Sequence, residues 1–360
     1  YDPLLRMNER GVAGGLVQAL RERHPLPLAL LYSAQLVFHT TAFEVVRLTP
    51  LFLVVALASS TWWFLAGKRM TRFGMTVFAL SILSVTTTVG MYSSILANWM
   101  ALVVWMFFFA YVALRGEKGL RALDAVALLG MSTLLLFIHP WTWGVFAASA
   151  AVAAILTLFH EKRRGLRTAA VLFSILAINA LLALLSLLEA SQGWRVSETL
   201  GMYTEVAVKP SSILVFWGAV TRLTQIWAPF FSPLIIALSI LGVFYLYAAN
   251  PASWSRRLIL AWLCASAIGS ILVAPIGFDP ASPTQSESQL WRLLFLTPFQ
   301  LTAPFGVALI TETPRRMQTG SGSVSGSEGP RRSILVVLLV VVFAVGALLA
   351  WVPVEGRLIL

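Results

Sequence analysis

The sequence predicts an all-α fold: a polytopic bundle of about ten transmembrane helices, with juxtamembrane or interfacial helices on the external face. Its composition is 58% hydrophobic and 11% charged with a mean hydropathy of +0.83, which lies outside the range of soluble globular proteins. In addition, ten apolar segments of roughly 17–21 residues are each long enough to cross about 30 Å of hydrocarbon at 1.5 Å per residue. These segments are Leu48–Gly67, Phe73–Met91, Leu96–Leu114, Ala122–Ile138, Trp141–Phe159, Thr168–Leu188, Phe230–Ala248, Leu258–Pro275, Leu293–Thr311 and Ser333–Pro353.

The distribution of charge predicts how these segments are oriented. Basic residues crowd into every second loop, so that one set of loops holds 16 of the 26 Lys and Arg with only five acidic residues. Because cytoplasmic loops are enriched in Lys and Arg, this set is assigned to the cytoplasm. The net charge of +11 is therefore a topology signal, and no nucleic-acid partner is predicted. The basic residues of the set are Lys68, Arg69, Arg72, Arg115, Lys118, Arg121, Lys162, Arg163, Arg164, Arg167, Arg256, Arg257, Arg315, Arg316, Arg331 and Arg332.

Two apolar stretches are left out of the ten spans. Ser211–Pro229 is apolar on one helical face and polar on the other, which predicts an interfacial helix. Leu26–Thr41 is uncharged but has only 16 residues, which favours a juxtamembrane or re-entrant helix, and charge alone does not decide whether it spans. The chain opens on Tyr1, and we expect a further span before it. Residues 1–360 are predicted to form a single transmembrane domain, with residues 312–332 as a flexible cytoplasmic linker.

The polar chemistry is concentrated outside the predicted spans. Two polar external loops, Glu189–Pro210 and Ile276–Trp291, join residues 1–46 on the external face. The span interiors carry almost no charge, which removes the commonest machinery of ion-coupled transport. No Gly-rich phosphate loop, HExxH or CxxC motif is present. The single cysteine, Cys264, excludes a disulfide framework, and we expect it to be a packed small hydrophobe.

Four places in the chain resemble the GT-C superfamily of polytopic glycosyltransferases, which take sugars from polyprenyl-phosphate carriers. They are Tyr1-Asp2-Pro3; His24-Pro25-Leu26-Pro27-Leu28 with Phe43-Glu44-Val45-Val46-Arg47-Leu48-Thr49-Pro50; Ala97-Asn98 with Ile138-His139-Pro140-Trp141-Thr142-Trp143; and Trp291-Arg292-Leu293-Leu294 with Pro298. The resemblance implies an inverting enzyme of the multi-pass cell membrane, similar to mannosyl- or aminoarabinose transferases. Its partners would be a polyprenyl-phosphate-linked sugar, membrane lipids and a glycan, lipid or protein acceptor in cell envelope glycosylation.

The chemistry of such a transfer suggests roles for five residues. Transfer with inversion needs a carboxylate to take the proton of the acceptor hydroxyl, and Asp2 is the candidate base. Arg292 and Arg47 would bind the departing phosphate, and His139 and Trp194 would bind the donor. Each has a plainer interpretation: a chain-end turn for Asp2, snorkelling anchors for the arginines, and interface aromatics for the other two.

Some features of the chain depart from the family. It has no Asp-x-Asp motif, and Trp62-Trp63 is not followed by the Asp-Tyr-Gly of oligosaccharyltransferases, which argues against en bloc transfer of a glycan to asparagine. No cofactor is certain, although a divalent cation is possible. The alternative function is a lipid or solute transporter, or a non-catalytic membrane scaffold. A transporter should have a polar cavity that reaches the middle of the membrane.

Overall fold

The computed structural model describes residues 2–21, 25–66, 96–160, 163–189, 233–248, 254–268, 298 and 301–310. Within these ranges the chain forms helices and short connections and contains no strand, so the all-α prediction is confirmed for them. The helices are α1 (Asp2–Asn8), α2 (Gly11–Arg21), α3 (Pro25–Phe38), α4 (Ala42–Ala66), α5 (Leu96–Arg115), α6 (Ala122–Ile138), α7 (Pro140–His160), α8 (Arg163–Glu189), α9 (Pro233–Ala248), α10 (Trp254–Ile268) and α11 (Leu301–Ile310), with a 3₁₀ turn at Gly116–Lys118. They belong to two compact units, the first with α1–α8 and α10, the second with α9 and α11.

Four of these helices are long and apolar enough to cross a membrane. The qualifying stretches are Ala42–Phe64, Leu96–Arg115, Pro140–Phe159 and Gly165–Leu185, each matching a predicted span. Helices α3, α6 and α11 are also apolar but shorter, as is part of α9. The count of ten spans stays a prediction. Phe73–Met91, Ser333–Pro353, the interfacial stretch Ser211–Pro229 and the linker 312–332 lie outside the described residues.

Several helices begin earlier than the apolar pattern predicts. Helix α4 begins at Ala42, α8 at Arg163 and α10 at Trp254, four to six residues before the predicted spans. In α4 the extension is fixed by a capping box: the Thr41 N–H donates to Glu44 Oε2 (2.8 Å), and the Glu44 N–H donates to Thr41 Oγ1 (3.2 Å). Five cations assigned to loops therefore lie in the first two turns of helices: Arg163, Arg164, Arg167, Arg256 and Arg257.

Contacts between helix termini define the two ends of the first unit. The Tyr111 hydroxyl donates to Asp124 Oδ1 (2.5 Å), which joins the end of α5 to the start of α6. The Trp254 ring at the start of α10 lies against Gly116, at the same end. Trp63, near the end of α4, packs on Tyr111 with ring centroids 6.4 Å apart. We call this the inner end and the opposite one the outer end, after the sides that the charge pattern predicts.

An aromatic core lies between α5, α7 and α10. Trp105 and Trp262 stack with ring centroids 4.1 Å apart and an interplanar angle of 22°. Phe146 packs edge-on against Phe108 at 4.8 Å, and Phe109 meets Trp262 edge-on at 5.6 Å. Offset stacks and edge-to-face pairs are the favourable geometries for aromatic rings, so these contacts fix how the three helices pack.

A buried polar network connects α6, α7 and α8. Asn179 Nδ2 donates to Ser132 Oγ (3.0 Å) and to the Ile175 carbonyl of its own helix (3.1 Å), while Asn179 Oδ1 accepts from Thr133 Oγ1 (2.9 Å). Trp143 Nε1 donates to Ser132 Oγ at 3.1 Å. Because lipid supplies no hydrogen-bond partners, polar groups inside a membrane pair across helices in this way.

The second unit contains a very close helix crossing. Gly242 of α9 lies against the Thr302 carbonyl of α11, and Gly306 of α11 lies against the Leu238 carbonyl of α9, with no room for a Cβ atom at either glycine. Leu238 packs with Ala303 and Val307 beside this crossing. Small residues at a crossing let two backbones approach and pack tightly in an apolar medium.

The prediction that Cys264 is packed is wrong for the described part of the chain, where Cys264 is exposed. The reason is its position on α10. Trp262, Ala265 and Ser266 are buried, and Cys264 lies on the opposite face of the same turn.

Candidate functional site

The first three helices pack together at the outer end. Leu4 and Met7 of α1 and Tyr32 of α3 share one apolar cluster with Ala42 and Val45, in the first turn of α4. Met100, near the start of α5, also packs against this cluster. Helix α3 has 14 residues, about 21 Å at 1.5 Å per residue, which is shorter than the hydrocarbon core. These helices therefore form a layer over the outer ends of α4 and α5.

Specific polar contacts fix this layer. The Tyr32 hydroxyl lies 3.3 Å from the Gly11 carbonyl and 3.5 Å from the Met7 carbonyl, in the turn between α1 and α2. Gln35 Nε2 donates to Asn8 Oδ1 at 3.0 Å. A Cβ on Gly15 would lie 2.6 Å from the Tyr32 ring, so α2 approaches α3 as closely as a glycine allows. The layer is therefore held to α3 by defined contacts.

Asp2, the candidate base, is the first residue of α1. Because Leu4 and Met7 pack on the first turn of α4, α1 lies at the outer end beside the start of α4. Arg47 lies two residues beyond Val45 of that cluster and is exposed. The structure thus brings the helix that carries Asp2 and the turns that carry Arg47 to the same end of the bundle.

Arg47 does not precede its span, as the sequence predicts, but lies inside α4 in its second turn. Pro50 also lies inside this helix rather than at its start. Proline has no N–H and therefore leaves the carbonyl of Val46 without its helical donor. The nearby Thr49 hydroxyl donates to the Val45 carbonyl at 2.6 Å. The expected boundary was wrong because the capping box at Thr41 starts the helix earlier.

His139 lies between the end of α6 and the start of α7, at the outer end, because the start of α6 is at the inner end and its 17 residues span about 25 Å. Its side chain is 3% exposed. Nδ1 accepts the Thr142 N–H at 3.1 Å and lies 2.9 Å from Thr142 Oγ1, which makes His139 the N-cap of α7. Since Nδ1 is an acceptor here, the neutral ring carries its proton on Nε2. The Trp141 ring lies edge-on at 6.5 Å.

The remaining two predicted site residues, Arg292 and Trp194, lie outside the described residues, as do the two external loops that carry them. Sequence reasoning did not single out Gln35 or Asn179 as functional, and it cited Asn98 only for the resemblance. A lone amide in a long apolar segment was the available signal for Asn98 and Asn179. The hydrogen-bond partners of these amides cannot be derived from their positions in the sequence.

The inner end carries a separate polar group. Asp124 Oδ2 accepts the Arg121 N–H at 2.7 Å, which caps α6 beside Tyr111. Arg256 and Arg257 are each 5% exposed, in contrast to the solvated loop predicted for them. Arg257 lies 5.8 Å from the centre of the Trp254 ring, and its Nη1 is 3.5 Å from Thr157 Oγ1. These arginines therefore take part in helix packing at the inner end.

Within the described ranges, no group of three or more His, Cys, Asp or Glu side chains is arranged to hold a metal ion. A divalent cation therefore stays an untested prediction. The chain matches no protein-family model, and no curated protein or solved structure is significantly similar to it.

Proposed function

We propose that this protein is a membrane glycosyltransferase of the GT-C type, which moves a sugar from a polyprenyl-phosphate carrier to an acceptor on the external face. The observation that carries the proposal is the packing of α1 on the outer end of α4. It brings the backbone of Asp2 to the end that also holds Arg47 and His139, three residues far apart in sequence. The resemblance noted in the sequence supplies the class of reaction.

In the proposed reaction the acceptor hydroxyl attacks the anomeric carbon of the sugar while Asp2 takes its proton. The bond from the anomeric carbon to the phosphate oxygen breaks, and polyprenyl phosphate leaves with the electron pair, which inverts the anomeric centre. A general base of this kind contributes about 10²–10⁴-fold to the rate. The sugar product stays on the external face with the acceptor.

Cations on the external side would stabilise the phosphate as it leaves. Arg47 is exposed at the outer end, and a guanidinium offers a planar fork for two phosphate oxygens. Arg292 is proposed for the same role. His139, whose Nδ1 is engaged with Thr142, is proposed to lie beside the donor. Trp194 is proposed to stack on the sugar.

The distribution of acidic residues favours this class over an ion-coupled transporter. In the described parts of α4 and α6 the carboxylates are Glu44 and Asp124, and both lie in the first turn of their helix, where they form caps. Carboxylates at the middle of a span are the usual sign of a proton or ion relay. A transfer reaction at the external face needs no carboxylate at the middle of a span.

The test is sugar transfer by the full chain in liposomes, with polyprenyl-phosphate mannose and polyprenyl-phosphate aminoarabinose as donors. Asp2→Asn is expected to lower the rate by about 10²–10⁴-fold. The matched control is Glu9→Gln, which removes an exposed carboxylate from the same N-terminal segment and should leave the rate unchanged. EDTA added to the same assay reports whether a divalent cation takes part.

Two results would count against the proposal at different levels. If Asp2→Ala and Arg292→Ala both transfer sugar at the wild-type rate, the site assignment is wrong. If the wild-type chain uses neither donor, the glycosyltransferase proposal is wrong, and uptake of solute or lipid by the same liposomes becomes the activity to measure.

A further inference from the structure

Two buried amide side chains at the outer end each have one polar atom without a hydrogen-bond partner among the described residues, which we call an unused atom. Gln35 of α3 is 9% exposed, and Asn98, in the first turn of α5, is 2% exposed. Gln35 donates through Nε2 to Asn8, but its Oε1 has no hydrogen-bond partner within the described part of the chain. Asn98 Nδ2 has none there either. One amide therefore presents an acceptor and the other a donor.

Two further polar groups close to them in sequence also have an unused atom. Thr40 Oγ1 and Trp99 Nε1 are buried and have no partner among the described residues. Thr40 is tied to Gln35 through the backbone, since the Thr40 N–H donates to the Gln35 carbonyl at 3.2 Å. Trp99 follows Asn98 directly. The outer end thus holds four unused polar atoms on two short segments.

The two segments meet at the apolar cluster below the N-terminal layer. Helices α3 and α5 are in contact. Leu36, next to Gln35, and Met100, two residues after Asn98, pack against the same buried cluster. This cluster also contains Leu4 of α1 and Val45 of α4, which neighbour the proposed Asp2 and Arg47. The unused atoms therefore lie at the end of the bundle where the proposed transfer takes place.

A buried polar atom without a hydrogen-bond partner costs free energy, so these atoms are expected to bind something. About nine in ten buried polar groups in proteins are hydrogen-bonded, so each atom without a partner calls for an explanation. Similar atoms occur elsewhere among the described residues, at Trp105, Thr168 and Trp254, but the outer-end group differs from these in holding an amide oxygen and an amide N–H. A sugar hydroxyl both donates and accepts, so it suits a site with an amide oxygen, an amide N–H and a hydroxyl.

We propose that Gln35 and Asn98, with Thr40 and Trp99, bind the hydroxyl groups of the transferred sugar. This inference rests on the proposed function and adds which part of the site recognises the sugar rather than the phosphate. Gln35 Oε1 accepts from one hydroxyl, and Asn98 Nδ2 donates to another. A site of this type selects strongly against a sugar that lacks the hydroxyl, because its buried polar atom then stays unpaired.

The test combines protein variants with donor analogues. The donor that supports transfer is compared with analogues that each lack one ring hydroxyl, in wild type, Asn98→Leu and Gln35→Met. Wild type should lose about 5- to 150-fold in kcat/KM with the analogue whose missing hydroxyl is bound, since a buried polar atom left unpaired costs about 1–3 kcal/mol and 1.4 kcal/mol is tenfold. In Asn98→Leu the kcat/KM for one analogue should equal that for the full donor, because the variant no longer donates a hydrogen bond to that hydroxyl.

Asn179→Leu is the matched control, since it removes a buried amide at the α6–α8 contact, and it should keep the wild-type discrimination between analogues. Thermal unfolding in detergent establishes that each variant is folded; if Gln35→Met is not, Asn98→Leu alone decides. If both variants discriminate as wild type does, the four atoms are satisfied by water and the inference is wrong. If wild type transfers no sugar at all, the proposed function is wrong, and this inference, which rests on it, is wrong as well.

Discussion

Replacing Asn179 with Leu should weaken the packing of α8 on α6. The Asn179 side chain makes two hydrogen bonds to α6, with Ser132 at 3.0 Å and Thr133 at 2.9 Å. Leu has the same number of side-chain heavy atoms and the same branch at Cγ, with larger methyl groups, so the substitution removes the bonds without opening a cavity. The neighbouring Trp143 still donates to Ser132, which keeps that hydroxyl paired.

The expected loss follows from the number of bonds. Hydrogen bonds between transmembrane helices average about 0.6 kcal/mol and reach about 1.7 kcal/mol. Two bonds therefore predict that the free energy of unfolding falls by about 1.2 kcal/mol, with a ceiling near 3.4 kcal/mol. The value is modest because the separated helices find other partners for their polar groups.

The assay is reversible unfolding in mixed micelles, analysed as a double-mutant cycle with Thr133→Val. The coupling energy should be about 0.6 kcal/mol if the bond between Thr133 and Asn179 forms. Ser149→Ala is the control, because Ser149 bonds to the Val145 carbonyl of its own helix at 2.8 Å and shares no described partner with Asn179. A coupling with Thr133 no larger than the coupling with Ser149 would refute the network.

The other predictions concern the outer end and a helix interior. His139→Asn should keep the N-cap of α7 and the wild-type unfolding temperature. His139→Ala should lower the free energy of unfolding by about 0.5–2 kcal/mol, because the Thr142 N–H loses its acceptor. Equal stability of the two variants would show that the cap is unimportant. Gly15→Ala should destabilise by about 1–3 kcal/mol, since its Cβ would meet the Tyr32 ring. Gly130→Ala, in open space within α6, should instead stabilise by up to about 1 kcal/mol, and thermal unfolding of both variants checks the contrast.

Helix type was predictable from the sequence, because long apolar segments leave little alternative in a membrane. Helix starts were less predictable. The apolar pattern ends where charges begin, but a helix continues through charged residues when a cap or a buried contact supports it. Thr41 and Glu44 extend α4 in this way, and the burial of Arg257 against Trp254 accompanies the early start of α10.

The positions of the candidate site residues could be predicted only in part, for a similar reason. The order of charges placed Arg47 and His139 on one side, in agreement with their shared end in the structure. The capping role of His139 was missed, although Pro140 follows it and proline favours the first position of a helix. The partners of Asn179 lie 46 and 47 residues away, so only the packing of α6 and α8 reveals them.

The aromatic core of the first unit has a consequence for permeation. Trp105 and Trp262 stack at 4.1 Å between α5 and α10, and Phe146 closes the side toward α7, so no water fits between these rings. An ion crossing between these three helices would have to shed its hydration shell against hydrocarbon and aromatic rings, at a prohibitive cost. We therefore expect no ion to pass between these three helices.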